Sequence, residues 1–246
     1  MKTYGLIGFP LKHSFSGKYF SEKFKKENIQ VCEYRLFPLE SVGEFDELKQ
    51  QDIAGLNVTI PYKEQIIPFL DELDEHAKSI GAVNVIQFKD GKTKGFNSDY
   101  YGFKNSLLNF IPKKSCSKAL ILGTGGASKA IKQVLIDLSI PFKVVSRKAG
   151  FDYTYDDLNS KTDVIQEYHL IINTTPLGTY PNIDEKPYFP YKALSDNHYL
   201  YDLVYNPAET AFLKAGKNQG AKTINGLEML IGQAEKSWEI WNALAK

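Results

Sequence analysis

The stretch that most restricts the fold is residues 119–145. Ala119-Leu120-Ile121-Leu122 is a wholly apolar run of strand length, and Gly123-Thr124-Gly125-Gly126 follows it as a tight turn. Residues 127–138 carry Ile131, Val134, Leu135 and Leu138 on one helical face, and Phe142-Lys143-Val144-Val145 begins the next strand. Strand, glycine turn, helix and strand in that order form a βαβ unit, which places this half of the chain in the α/β class. Such a turn also suits an anion: glycines let the backbone approach a pyrophosphate, whose charge rests on the helix N-terminus. Ser128 stands where the usual fingerprint has a third glycine, so the turn by itself also fits a plain strand-to-helix connection. The end of the following strand bears on the choice of cofactor. An NAD site places a carboxylate there for the ribose 2′-hydroxyl. Here the strand ends in Ser146-Arg147-Lys148, and a guanidinium suits a 2′-phosphate, which favours NADP. Two solvated cations at a strand end are the plainer alternative.

The remaining text alternates in the same way. Strands are expected at 4–8, 31–37, 53–58, 82–88, 170–172 and 199–204. Helical spacing marks Tyr19, Phe20 and Phe24, residues 45–49, residues 61–80, and the segment from Asp99 through Phe103, Leu107 and Leu108. Asp90-Gly91 is a hairpin turn signal, and residues 176–190, rich in Pro, Gly and Asn, read as an irregular loop. Residues 227–244 repeat apolar side chains at helical intervals. The polar break Ile111-Pro112-Lys113-Lys114-Ser115 is the expected boundary between two α/β domains, with the preceding helix as the alternative linker.

The 30 basic and 29 acidic residues leave a formal charge of +1 without a basic stripe, so the electrostatic footprint of a nucleic-acid or anionic-membrane partner is missing. Lys113-Lys114 with Lys118 reads as a solvated loop. Cys32 and Cys116 are far apart and the four histidines are scattered, so no metal site is expected. No apolar run approaches the roughly 20 residues needed to span a bilayer, and the N-terminus does not read as a secretory signal. A cytoplasmic protein acting on a small molecule is expected.

The first half holds polar clusters that folding alone does not demand. His13-Ser14-Phe15-Ser16 puts two hydroxyls on one side of an extended segment, suited to a carboxylate or polyol, although one serine could simply cap the next helix. Asn57, Thr59 and Lys63 gather at the end of a buried strand. Gly95-Phe96-Asn97-Ser98-Asp99 ends another in a polar tip, where Asp99 could be a helix cap.

In sequence order, HSxS at 13–16, NVTxPxK at 57–63, GAVN at 81–84 and GxN(T/S)D at 95–99 are followed by GxGGAS at 123–128 and a basic segment at 146–148. INTTPLG at 172–178, YDLxYxP at 201–207 and NGxxMLxxQA at 225–234 complete the series. Over nearly its full length the chain resembles the shikimate dehydrogenase family. The resemblance implies a discontinuous substrate domain, residues 1–100 with 225–246, and a Rossmann-like NADP-binding domain, residues 101–224, with the C-terminal helix returning to the first. It implies substrate groups at Ser14, Ser16, Thr59, Lys63, Asn84, Asp99, Tyr205 and Gln233. Cofactor contacts are implied at Gly123, Thr124, Gly125, Gly126 and Ala127, at Ser146, Arg147 and Lys148, and at Leu203, Gly226 and Met229. Ser98 stands where threonine is common, Lys129 where arginine is common, and Ser146-Arg147-Lys148 varies the usual Asn-Arg-Thr.

The implied activity is reversible reduction of 3-dehydroshikimate to shikimate by NADPH, with Lys63 as acid/base and Asp99 beside it. Ser14, Ser16 and Tyr205 would hold the substrate carboxylate; Asn84 and Gln233 would address ring hydroxyls, Gln233 otherwise reading as an interior hydrogen-bonder. Domain closure around the hydride is a further expectation, and a monomer or a homodimer is equally compatible. The alternatives are a quinate/shikimate dehydrogenase or related paralogue, and a non-catalytic NADP-binding regulator. A methylene-tetrahydrofolate dehydrogenase would lack the HSxS and NGxxMLxxQA blocks.

Overall fold

The computed structural model describes residues 1–11, 14–112 and 118–243. His13, Lys113, Lys114, Ser115, Cys116 and Leu244, which figure in the reading above, lie outside the described residues. The chain divides into two compact α/β units, Met1–Tyr101 with the segment from Gln233 onward, and Gly102–Gly232.

The first unit contains β1 (Lys2–Gly8), α1 (Phe15–Lys26), β2 (Cys32–Pro38), α2 (Phe45–Leu48), β3 (Ile53–Val58) and α3 (Tyr62–Gln65). It continues with β4 (Glu72–Leu73), α4 (Glu75–Ile80), β5 (Val85–Lys89) and β6 (Lys92–Phe96), and α5 (Ser98–Phe110) carries the chain into the second unit. The sheet order is β2-β1-β3-β5-β6-β4. β1 lies parallel to both β2 and β3, whereas β3, β5 and β6 are antiparallel. The β5–β6 turn has Asp90 at φ 52° and Gly91 at φ 72°, the positive pair that lets a two-residue loop match the twist of its strands. Residues 61–80 do not form one helix. After α3 and a 3₁₀ turn at Ile67–Phe69 the chain turns extended, because the Asp71 carboxylate accepts from Thr93 N and Oγ1 (2.7 and 2.8 Å) and Leu73 pairs with Gly95. Strand pairing here overrides helical periodicity. β5 begins at Val85 rather than residue 82, since Val83 N donates to Lys63 O (2.7 Å) before the ladder starts.

One core layer gathers Ile7, Phe45, Leu56, Val58, Ile66 and Ile86. The other packs Tyr4, Phe20, Phe24 and Val85 against Ala234, Ile240 and Trp241 from the C-terminal helix. Trp241 covers Gly55, where an added Cβ would fall 2.2 Å from the indole, and its Nε1 donates to Ile86 O (3.0 Å). The Tyr4 hydroxyl is buried with no hydrogen-bond partner among the described residues.

The second unit takes in the later turns of α5, then β7 (Ala119–Leu122), α6 (Gly126–Asp137), β8 (Phe142–Ser146), β9 (Tyr153–Thr154) and α7 (Tyr155–Ser160). β10 (Leu170–Asn173), β11 (Tyr199–Asp202), α8 (Ala211–Lys217), β12 (Lys222–Ile224) and the start of α9 (Leu227–Trp241) follow. All six strands are parallel in the order β12-β11-β10-β7-β8-β9. β7, β10 and β11 are buried along their whole length, as a sheet covered on both faces requires. From β7 the chain proceeds to β8 and β9 on one side, and β10, β11 and β12 build outward on the other. The ends of β7 and β10 are therefore a topological switch point, where open α/β sheets bind ligands. Leu120, Leu158, Ile171, Leu200 and Phe212 lie in its core, and Phe103 meets Tyr201 edge-on at 5.0 Å. The unit boundary falls inside α9, between Gly232 and Gln233, rather than ahead of it.

Candidate functional site

In the first unit Thr59, Lys63, Asn84 and Asp99 lie at the ends of β3, β5 and β6. β3 runs out at Val58; Thr59 follows, its methyl lying where an added Cβ on Gly8 would come within 2.4 Å. The short α3 then presents Lys63, whose Nζ is 2.6 Å from Asp99 Oδ2. Asp99 sits in the first turn of α5, where a carboxylate also complements the helix dipole. It is buried, while Lys63 keeps part of its side chain exposed. Asn97 fixes the turn ahead of Asp99 by donating to Ala82 O (2.9 Å) and accepting from Tyr100 N (3.3 Å). The result is an ammonium anchored on one side and still reachable from the other, an arrangement able to move a proton to or from a bound oxygen.

Asn84 is buried beside this pair. Its Oδ1 accepts from Ser98 N (2.6 Å), and its Nδ2 donates to Ser98 Oγ (3.1 Å) and Gln233 Oε1 (3.4 Å). Ser14 and Ser16 differ from their expected form. Only Ser14 is extended (φ −125°, ψ 120°); it N-caps α1 by accepting from Gly17 N (3.2 Å), so Ser16 already lies in the helix. The cause is the cap itself, which starts the helix at Phe15. Capping uses a lone pair of Ser14 and leaves its hydroxyl proton to donate. Ser16 bonds the Tyr34 hydroxyl, whose pKa burial pushes well above the usual value while the Ser16 bond opposes the shift. Tyr205 belongs to the second unit, just beyond β11 and partly exposed.

The second unit brings the predicted cofactor residues to the carboxyl ends of its strands. Gly123 adopts φ 106°, and an added Cβ would meet Thr174 Oγ1 at 2.9 Å, so the turn requires glycine there. Cβ atoms added to Gly125 or Gly126 would meet nothing within 4 Å. Gly125 is the N-cap of α6 and supplies no side-chain cap, so the leading N–H groups of the helix face open space beside exposed Thr124. That cradle fits a pyrophosphate. Ser146 is buried and holds Lys148 N through its Oγ (3.1 Å), while Arg147 and Lys148 are exposed and suited to a 2′-phosphate. Leu203 and Gly226 come so close that a Cβ on Gly226 would lie 2.1 Å from Leu203 O; Met229 is buried one helical turn on. At the end of β11 Asp202 is fully buried. Desolvation lifts its pKa to about 6 against hydrogen bonds from Thr210 Oγ1 (2.6 Å), Val204 N (3.0 Å) and Asn173 Nδ2 (2.9 Å).

A shikimate dehydrogenase (NADP(+)) of Clostridium beijerinckii is 42% identical to this chain, over 98% of it and 92% of the relative. The chain belongs to the shikimate dehydrogenase family. The family model for the shikimate dehydrogenase substrate binding domain matches residues 6–86. The crystal structure of shikimate dehydrogenase 1 from Peptoclostridium difficile superposes with a TM-score of 0.82 at 38% identity, covering 100% of this chain and 93% of that one. A shikimate dehydrogenase crystallised with NADP+ gives a TM-score of 0.85 at 35% identity, covering 99% and 91%.

Sequence reasoning within this shikimate dehydrogenase framework passes over Tyr34 and Ser237, which lie behind the predicted substrate groups. Asn57 accepts from Tyr34 OH (2.8 Å) and donates to Ser237 Oγ (2.9 Å) and Asn84 O (3.3 Å). The one available signal is a serine four residues beyond Gln233 on an otherwise apolar helix face. Among the described residues no group of three or more His, Cys, Asp and Glu side chains could hold a metal ion. No helix among them is long and apolar enough to cross a membrane.

Proposed function

We infer that the protein is an NADP-dependent shikimate dehydrogenase, reducing 3-dehydroshikimate reversibly to shikimate in the pathway to chorismate and the aromatic amino acids. The observation that carries this reading is the Lys63–Asp99 pair at 2.6 Å, standing in a chain that matches a relative of this family over 98% of its length. In the reductive direction the Lys63 ammonium donates a proton to the substrate carbonyl oxygen; in the oxidative direction its amine takes the hydroxyl proton. Asp99 holds the ammonium in place and accepts a hydrogen bond from the same hydroxyl. Ser14, Ser16 and Tyr205 bind the substrate carboxylate, and Thr59, Asn84 and Gln233 bind the ring hydroxyls. NADP, when bound, supplies or accepts the hydride at its nicotinamide. Gly123, Thr124, Gly125, Gly126 and Ala127 hold its pyrophosphate, Ser146, Arg147 and Lys148 the 2′-phosphate, and Leu203, Gly226 and Met229 the nicotinamide end. On this reading residues 1–100 and 225–246 form the catalytic domain and residues 101–224 the cofactor domain of a cytoplasmic enzyme with no nucleic-acid or membrane partner, active as monomer or homodimer.

The test is the initial rate of NADP+ reduction with shikimate, run beside quinate and NAD+, with Lys63→Ala as control. Turnover with shikimate and NADP+, reduced about 100-fold or more in Lys63→Ala while NADP+ still binds, is the expected result. Equal or faster turnover with quinate or NAD+ would move the protein to the paralogue class, and a protein that binds NADP+ but turns over none of these substrates would be a regulator.

A further inference from the structure

Behind the substrate residues of the first unit runs a chain of buried hydrogen bonds whose proton directions can be assigned. Asn57 Nδ2 faces Asn84 O, a group that can only accept, so the Asn57 amide has one permitted orientation. Its Oδ1 then takes the Tyr34 phenol proton, and its second amide proton goes to Ser237 Oγ. Ser237 spends its own proton on Gln233 O (2.8 Å), one turn back along α9. Its oxygen therefore remains the acceptor for Ser98, whose Oγ lies 3.4 Å away. With the Ser98 proton drawn toward Ser237, the Ser98 oxygen faces Asn84 Nδ2 and accepts from it at 3.1 Å. Asn84 in turn has Oδ1 pinned by Ser98 N, so its Nδ2 is held against both Ser98 and Gln233 Oε1. Ser237 and Ser98 are fully buried, so water cannot substitute for a missing partner.

We propose that Ser237 is a positioning residue: by accepting the Ser98 proton it keeps Ser98 Oγ turned to Asn84 Nδ2, which steadies the Asn84–Gln233 contact and so sets how the enzyme recognises the substrate's ring hydroxyls. The proposal rests on the shikimate reading of the same site. It assigns Ser237 no contact with substrate. Without its oxygen, Ser98 loses the acceptor that draws its proton away from Asn84, so the Asn84 Nδ2–Ser98 Oγ bond weakens. The Nδ2 end of the amide, with the Gln233 Oε1 it faces, then loosens where a hydroxyl must be met, while Asn84 Oδ1 stays held by Ser98 N.

The test compares wild-type enzyme with Ser237→Ala, a substitution that removes one oxygen and leaves the helix intact. Three quantities are read: KM for shikimate, KM for NADP+, and Ki for 1-cyclohexene-1-carboxylate, which carries the carboxylate without the ring hydroxyls. The expected result is a rise of roughly tenfold in the shikimate KM, the size of one net hydrogen bond. kcat should change by less than about threefold, with the other two constants unmoved, because only hydroxyl recognition is loosened. Equal rises in shikimate KM and analogue Ki would reveal general loosening of the fold and overturn the proposal, as would a shikimate KM within about twofold of wild type. If Ser237→Ala proves too unstable to assay, Ser98→Ala breaks the same link from its other end, and the same split decides. A wild-type protein that neither turns over nor binds shikimate defeats the functional reading itself, and the role of Ser237 with it, before any variant is made.

Discussion

Replacing Asp202 by asparagine tests the charge balance at the end of β11. In the folded protein its carboxyl titrates near pH 6 instead of 3.8, because full burial outweighs hydrogen bonds from Thr210, Val204 and Asn173. Between those two values the native state binds a proton that the unfolded chain does not, so this group makes stability fall as pH rises from about 4 to about 6. A difference of about two pH units at 1.36 kcal/mol each amounts to about 3 kcal/mol in favour of the protonated form. The substituted amide does not titrate; its oxygen can keep Asn173 and Val204, and its nitrogen can donate to Thr210 Oγ1. Urea unfolding of wild type and Asp202→Asn at several pH values from 4 to 7 gives the comparison. Contributions from carboxylates such as Asp71, whose pKa the Thr93 hydrogen bonds lower, cancel in the difference between the two proteins. Relative to wild type the variant should gain about 2 kcal/mol on going from pH 4 to pH 7, the rest of the difference falling below pH 4. A stability difference that stays flat across that range would show that the three hydrogen bonds offset burial after all, and the reasoning would be wrong.

Arg147→Ala with Lys148→Ala should raise KM for NADP+ by about 10- to 100-fold, the loss of charge-assisted bonds to a phosphate, while KM for NAD+ barely moves; steady-state kinetics with both cofactors decides, and parallel changes would place the 2′-phosphate elsewhere. Gly226→Ala drives a Cβ to 2.1 Å from the backbone oxygen of Leu203, which cannot swing aside as a side chain can. It should cost about 1–3 kcal/mol in urea unfolding, and wild-type stability would mean that the two segments separate freely. Leu56→Ala, at a fully buried position of β3, should cost about 2–5 kcal/mol through the cavity left in the first core; a loss below about 1 kcal/mol would show that the layer collapses around it.

What the sequence made legible follows from how local the determining interaction is. β3 and β7 were readable because strands covered on both faces become continuous apolar runs, and Asp90-Gly91 because its positive φ angles are a property of two residues. α7 and β12 escaped notice. The first is six residues long behind a Thr154–Asp157 capping box, and the second, Lys222–Ile224, holds a single aliphatic side chain. Residues 61–80 misled because helical spacing was present but the Asp71–Thr93 and Leu73–Gly95 contacts come from a distant strand. The same division holds at the site. Ordered motifs pointed to Lys63, Asp99, Asn84 and Gln233 individually. That Asn57 meets Ser237 depends on residues 180 positions apart, which no local pattern encodes.

The seating of Trp241 on Gly55 matters for how the protein is made. The second unit is one uninterrupted stretch, residues 102–232, and can begin to pack as soon as it leaves the ribosome. The first unit cannot finish, although most of it is synthesised earlier: Tyr4, Phe20 and Phe24 wait for Ala234, Ile240 and Trp241. Through the whole translation of the intervening stretch, a half-covered aromatic layer is open to chaperones and to other nascent chains. A message truncated before codon 241 would yield a folded second unit tethered to an aggregation-prone first one.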